Sequence, residues 1–110
     1  MVSFPESDWR VLTRFKPLAL DRLCKRYIDK AENLSRKTTD SNYYQAYLEL
    51  YKSLGKAEKS LDLCFNDWRR STAIYTLANW QREKLLTEQE YQQFSQETQN
   101  NANLILSLSV

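Results

Sequence analysis

After Pro17 the chain contains no further proline, and its only glycine is Gly55. Hairpins and tight turns draw on residues that tolerate positive φ or preset it. A chain of 110 residues with one Gly and two Pro therefore lacks the means to connect many short strands. Leu, Ala, Glu, Lys, Arg and Gln are abundant instead, and these lose least on entering a helix. The expected class is all-α. The length fits one domain, residues 1–110, able to bury roughly 65% of its unfolded surface without disulfide or metal staples.

The stretch from Lys56 to Leu86, free of Gly and Pro, sets the centre of the expected bundle. Leu61, Cys64, Phe65, Trp68, Thr72, Tyr75 and Asn79 recur at helical spacing, and a second row, Ile74, Leu77, Ala78 and Leu85, runs beside them. So wide an apolar face must be surrounded, which predicts a long central helix over about 56–84. The alternative is two pieces meeting at Asn66-Asp67, where Asp67 could cap a new start.

The other elements follow from their punctuation. Ser3, Pro5 and Glu6 read as a helix start with capping-box spacing, with Ser7 as a competing cap. Trp9, Leu12 and Phe15 should point inward. Pro17 removes a donor, so either a kink or a short break is expected at Phe15-Lys16. The pattern resumes with Leu20, Leu23, Cys24, Tyr27, Ile28, Ala31 and Leu34 inward, and Arg22, Lys25, Arg26 and Lys30 toward water. Ser35 to Ser41 has no apolar residue and is the one clear linker.

Asp40 or Ser41 should cap a second helix whose apolar face is Tyr44, Tyr47, Leu48, Tyr51 and Leu54, ending with Gly55 in the left-handed C′ position. Thr87-Glu88-Gln89-Glu90 is a capping box, with Leu86 against Tyr91 as its hydrophobic staple, opening a short helix to Phe94. Ser95 opens a last helix reaching about Leu106. The sum is a small bundle of four to five helices. Its tail, residues 104–110, holds five apolar residues, Leu104, Ile105, Leu106, Leu108 and Val110. These are expected to contact a second subunit or to dock between the first and central helices.

Charge and composition narrow the chemistry. Lys and Arg number 16 against 14 acids, a net charge of +2, too small to require a nucleic-acid or anionic-membrane partner. No histidine exists, which removes the commonest general base and metal ligand. Cys24 and Cys64 form no CxxC pair and sit at apolar positions, so both are expected to be buried free thiols. No segment has the length and apolarity of a membrane span, and Met1 to Pro5 does not open a signal peptide, so a cytoplasmic protein is expected. The sequence contains no phosphate-binding glycine loop, GxSxG elbow or HExxH, and no catalytic, cofactor-binding or metal residues are assigned.

Two clusters combine charged or aromatic side chains at helical spacing. Asp67, Arg70 and Ser71 stand at i, i+3 and i+4 of the expected central helix, so Asp67 should hold Arg70, with Arg69 about a hundred degrees round. The arrangement reads either as an anion grip or as a structural ion-pair network reaching Glu6 or Asp8. Tyr43, Tyr44, Tyr47 and Tyr51, with Trp9, Trp68 and Trp80, invite a base-stacking reading, but the spacing of Tyr44, Tyr47 and Tyr51 favours packing in the core.

Three segments taken together, Glu6-Ser7-Asp8-Trp9-Arg10, Trp68-Arg69-Arg70-Ser71 and Leu86-Thr87-Glu88-Gln89-Glu90 leading to Phe94-Ser95-Gln96-Glu97-Thr98, resemble a family of small all-helical bacterial proteins of about this length and uncharacterised function. The resemblance covers nearly the whole chain. It implies an all-helical fold and no activity; the transporter-component names such proteins often carry have no support in a chain without a membrane span. In those relatives a Gly often precedes the Leu-Leu-Thr-Glu equivalent, where this chain has Lys84.

The leading expectation is a non-catalytic protein–protein interaction module, either a homodimer or bound to a protein partner, with no cofactor and no membrane partner. Trp9, Arg10, Asp67, Trp68, Arg69, Arg70 and Ser71 form its interaction or structural network. The alternative is a small nucleic-acid-associated regulator using Arg10, Arg14, Arg22, Lys25 and Arg26.

Overall fold

A computed structural model describes residues 4–108, and every regular element in them is helical. Helix α1 spans Glu6–Arg36, α2 Tyr43–Leu61, α3 Ala73–Arg82, α4 Glu88–Tyr91 and α5 Gln96–Leu108. A π-helical turn, Asp62–Asn66, extends α2, and a 3₁₀ turn, Arg70–Thr72, leads into α3. The expected all-α bundle is present. Ser3 and Val110 lie outside the described residues, so the proposed Ser3 cap and the last tail residue do too.

The expected break at Pro17 does not occur: α1 runs unbroken for 31 residues. Proline inside a helix costs about 3 kcal/mol through a lost bond and a clash with the preceding turn. Here Pro17 and Thr13, whose carbonyl loses its partner, both lie on the solvent face. The opposite face carries Asp8, Leu12, Phe15, Ala19 and Leu23, all buried, and their packing spans the proline and keeps both sides of it helical.

The long central helix over 56–84 is also corrected. Gly55 does not end a helix; it lies inside α2 with ordinary helical φ. Helix α2 continues because Ser53, Ala57 and Ser60 form a buried small-residue strip. The helix stops instead at Asn66, and residues 67–69 leave helical geometry, with Asp67 at φ −97°, ψ 77°. Of the two readings, the meeting of two pieces near Asn66-Asp67 is the observed one, although α3 starts only at Ala73 and Asp67 does not cap it. The ending is stabilised from outside. The indole N–H of Trp80 donates to the Cys64 carbonyl at 2.9 Å, and the Asn79 amide donates to the Leu63 carbonyl at 3.2 Å. Two orphan carbonyls of α2 are thus satisfied by α3.

Trp80, fully buried, centres the core, with Leu12, Leu23, Leu77 and Leu85 around it. Phe65 and Trp68 flank its ring at 5.5 and 6.0 Å. The capping box of α4 is formed: Thr87 Oγ1 accepts from Glu90 N–H at 3.2 Å and the Glu90 carboxylate accepts from Thr87 N–H at 2.8 Å. This helix is shorter than expected, ending at Tyr91 rather than Phe94. The last helix starts after Ser95 as expected, and its terminal turns bring Ile105 onto the core while Leu104 and Leu108 face out.

The molecule measures 55 × 24 × 21 Å with a radius of gyration of 16.8 Å. A compact chain of this size has roughly 13 Å. The excess is the α1–α2 hairpin. Helix α1 alone is about 46 Å long, and no residue from 24 to 52 is buried. The core occupies one end and the hairpin projects from it as an arm.

Candidate interaction surface

The residues singled out from the sequence gather at the core end, joined differently from expectation. Trp9 packs on Trp68 at 5.3 Å, Trp68 stacks with Trp80, and the Lys16 ammonium sits 4.2 Å from the Trp68 ring. This aromatic column with a cationic cap pins residues 67–69 to α1. Asp67 does not hold Arg70, because the segment is not helical there and the i, i+3 relation has no geometry to act through. Asp67 instead accepts both forks of Arg69, at 2.6 and 3.0 Å, which lowers its pKa. Arg70 crosses to the chain start and donates to the Phe4 carbonyl and the Glu6 carboxylate, each at 2.8 Å. Arg10 sits 3.4 Å from the same Glu6. Ser71 is exposed. These pairs are half solvated, of the kind worth about 0–1 kcal/mol each, and they tie segments together.

The stronger polar sites arise elsewhere. Asp8, 1% exposed, accepts from Ser95 N–H (2.8 Å), Ser95 Oγ (2.6 Å) and Thr98 Oγ1 (2.5 Å), so a carboxylate of α1 caps the start of α5. Arg22 grips Glu90 with both forks, at 2.5 and 3.0 Å, and donates to the Leu85 carbonyl at 2.8 Å. Arg22 and the Thr87 backbone N–H together hold the Glu90 carboxyl down to about 2. Arg26 pairs with Glu83 at 2.9 Å. Arg26 is exposed as its spacing predicts and Arg22 is half-buried, and both clamp α1 to the end of α3 and the start of α4. Glu90 thus serves its capping box and a cross-helix ion pair at once.

Cys64 is buried as expected, and burial pushes its thiol up to about 12. Cys24 is exposed, against expectation, because it lies on α1 one residue beyond Leu23, on the face turned away from the core. Ile28, expected inward, is exposed for a related reason: it lies where α1 has already left the core.

The largest departure concerns the tyrosines. Tyr44, Tyr47 and Tyr51 are 74%, 60% and 69% exposed and Leu54 52%, so the core-packing reading of this row is overturned. Helix α2 carries two seams. One, Ala46, Leu50, Ser53, Ala57 and Ser60, turns toward its own chain and is at least partly buried throughout. The other, Tyr44, Tyr47, Tyr51 and Leu54, follows the alternating three-and-four spacing of a coiled-coil seam and is mostly solvent-facing. An apolar groove beside it is lined by Ala31, Leu34, Tyr43, Ala46, Tyr47 and Leu50, so both arm helices contribute. Sequence periodicity identified this face correctly; nothing in a periodicity says that the covering helix is missing.

Among the described residues no helix is long and apolar enough to cross a membrane, and no cluster of His, Cys, Asp or Glu could hold a metal ion. No protein-family model, curated protein or solved structure matches the chain.

Proposed function

We propose that this chain is a non-catalytic interaction module whose α1–α2 arm presents the Tyr44–Leu54 seam to a helix of a protein partner. The observation that carries the reading is a solvent-facing aromatic row at coiled-coil spacing on an arm without a single buried residue from 24 to 52. Soluble chains seldom leave so large a contiguous apolar surface uncovered unless something binds it. Tyrosine suits such a surface, since it contributes large contact area with few rotors and keeps a polar tip in water. The proposal includes a cytoplasmic location, supported by two free thiols.

The exposure of the tyrosines also favours a second reading, a stacking platform for single-stranded nucleic acid, which needs aromatics beside a basic groove. Charge argues against it. Residues 24–52 hold six Lys and Arg against four Asp and Glu. Three of those six, Lys25, Arg26 and Arg36, are ion-paired within the chain. Arg10, Arg14 and Arg22 are likewise engaged, by Glu6, Gln93 and Glu90.

A photo-reactive phenylalanine analogue at position 47, irradiated in the source cell, separates the readings. The proposal expects protein adducts from position 47 and few from position 45, on another face of α2. Adducts that vanish on nuclease treatment would overturn it in favour of the stacking platform.

A further inference from the structure

Building on the interaction-module reading, we propose that the partner is a second copy of this chain, joined by antiparallel pairing of the two α2 helices about a two-fold axis level with Glu49. Self-pairing through one face requires that face to be complementary to itself under two-fold rotation. The α2 seam meets this condition. Near its C-terminal end Tyr51, Leu54, Gly55 and Glu58 surround a shallow hollow. Their spacing, i, i+3, i+4 and i+7, is the four-residue diamond that receives a side-chain knob from a facing helix.

Gly55 leaves the floor of that hollow without a side chain. A Cβ placed there meets nothing within 4 Å, so no packing within the chain calls for glycine. Helical φ at this position does not call for it either. An exposed glycine inside a helix weakens it, and the account that fits its presence is a space kept for another molecule. At the N-terminal end of the same seam stands the matching knob, Tyr44, the most exposed of the four tyrosines.

Antiparallel pairing about Glu49 sets Tyr44 against the partner's Leu54 and Gly55, and Tyr47 against the partner's Tyr51, in the alternating a-to-d′ layers of an antiparallel coiled coil. The two-fold axis repeats each contact, giving four layers. Glu58, on the rim of each hollow, is placed to accept from the phenol entering it. The groove between the arm helices, beside Tyr43 and Tyr47, gives the incoming helix a second wall, so two hairpins close into a four-helix bundle. The area is sufficient. Tyr43, Tyr44, Tyr47 and Tyr51 with Ile28 and Leu54 present roughly 700 Å² per copy, about 1,400 Å² for the pair, within the range of specific dimers.

Sedimentation of the full chain across a dilution series tests this, with the mass expected to rise from 13.1 kDa to twice that value as concentration increases. Gly55→Leu fills the hollow with a better helix former in open space. It should therefore preserve or raise helicity while weakening self-association at least roughly tenfold. Tyr51→Glu should dissociate the pair as well. In a Cys24→Ser background, a mixture of Tyr44→Cys and Leu54→Cys chains should give a mixed disulfide that neither chain forms alone. A monomer at every concentration overturns the self-pairing, and leaves the interaction module standing or falling on whether position 47 cross-links to a different protein. A dimer that survives both Gly55→Leu and Tyr51→Glu also overturns it, because association then uses another surface.

Discussion

Replacing Asp8 with Ala should be among the most damaging polar substitutions in the fold. The carboxylate is 1% exposed and accepts three hydrogen bonds from Ser95 and Thr98, across 87 and 90 residues of sequence. Hydrogen bonds to a charged acceptor contribute about 1.5–3 kcal/mol each, and a negative charge at a helix N-terminus adds about 0.3–1 kcal/mol. Such terms are not additive, and in the variant Ser95 Oγ still accepts from Thr98 N–H, at 3.3 Å. A net loss of about 3–4 kcal/mol follows, toward the upper end for single substitutions. Asp8→Asn keeps an acceptor for the Ser95 N–H and lets the hydroxyls turn, so it should lose only about 1–2 kcal/mol. Urea unfolding followed by tryptophan fluorescence measures both, and for a domain of this size 3 kcal/mol lowers Tm by roughly 10–20 °C. A loss below 1 kcal/mol in Asp8→Ala would refute the claim that this carboxylate fastens α5 to α1.

The Glu90 carboxyl is held down to about 2 in the fold, from an ordinary value of 4.5. Its contribution to stability is therefore present above about 4.5 and is lost as pH falls from there toward 2. Glu90→Gln should lose about 1–2 kcal/mol at pH 7, after allowance for the partly exposed Arg22, and should flatten the acid limb of a Tm-against-pH curve. Lys84 holds φ 57° at the end of α3, where the Leu85 N–H reaches the Trp80 carbonyl. Lys84→Gly removes the strain of a side chain in left-handed geometry and should raise stability by about 0.5–1 kcal/mol in thermal melts. A maleimide should label Cys24 within minutes and Cys64 only at the rate of unfolding, since Cys64 is buried with its thiol near 12; equal labelling of both in folded protein would contradict the core.

Local signals were legible where the physics is local. The scarcity of Gly and Pro set the class, Thr87 to Glu90 placed α4, and Ser95 placed the start of α5. Pro17 and Gly55 misled because propensity is a small term beside the packing of Leu12, Phe15 and Ala19 on one helix and Ser53 and Ala57 on the other. Asp67 and Arg70 misled because helical spacing was applied where α2 had already ended, an ending supplied by Asn79 and Trp80 from another helix. The Asp8 lock carried one readable sign: a carboxylate at the head of the buried row Leu12, Phe15, Ala19, Leu23, where an unpaired charge could not remain. Its partners, almost ninety residues away, carried none. The tyrosine seam was legible as a face, while its lack of a covering helix in the same chain became visible only in three dimensions.

The outer seam of the arm finds no cover within its own chain, and hydrogen–deuterium exchange resolved by peptide across a dilution series measures this. In dilute protein the amides of 24–52 should exchange far faster than those of α3, which lines the core around Trp80, and they should slow as concentration rises and α2 becomes covered. An arm as protected as α3 at the lowest concentration would mean that the hairpin packs against its own core, and would contradict the account.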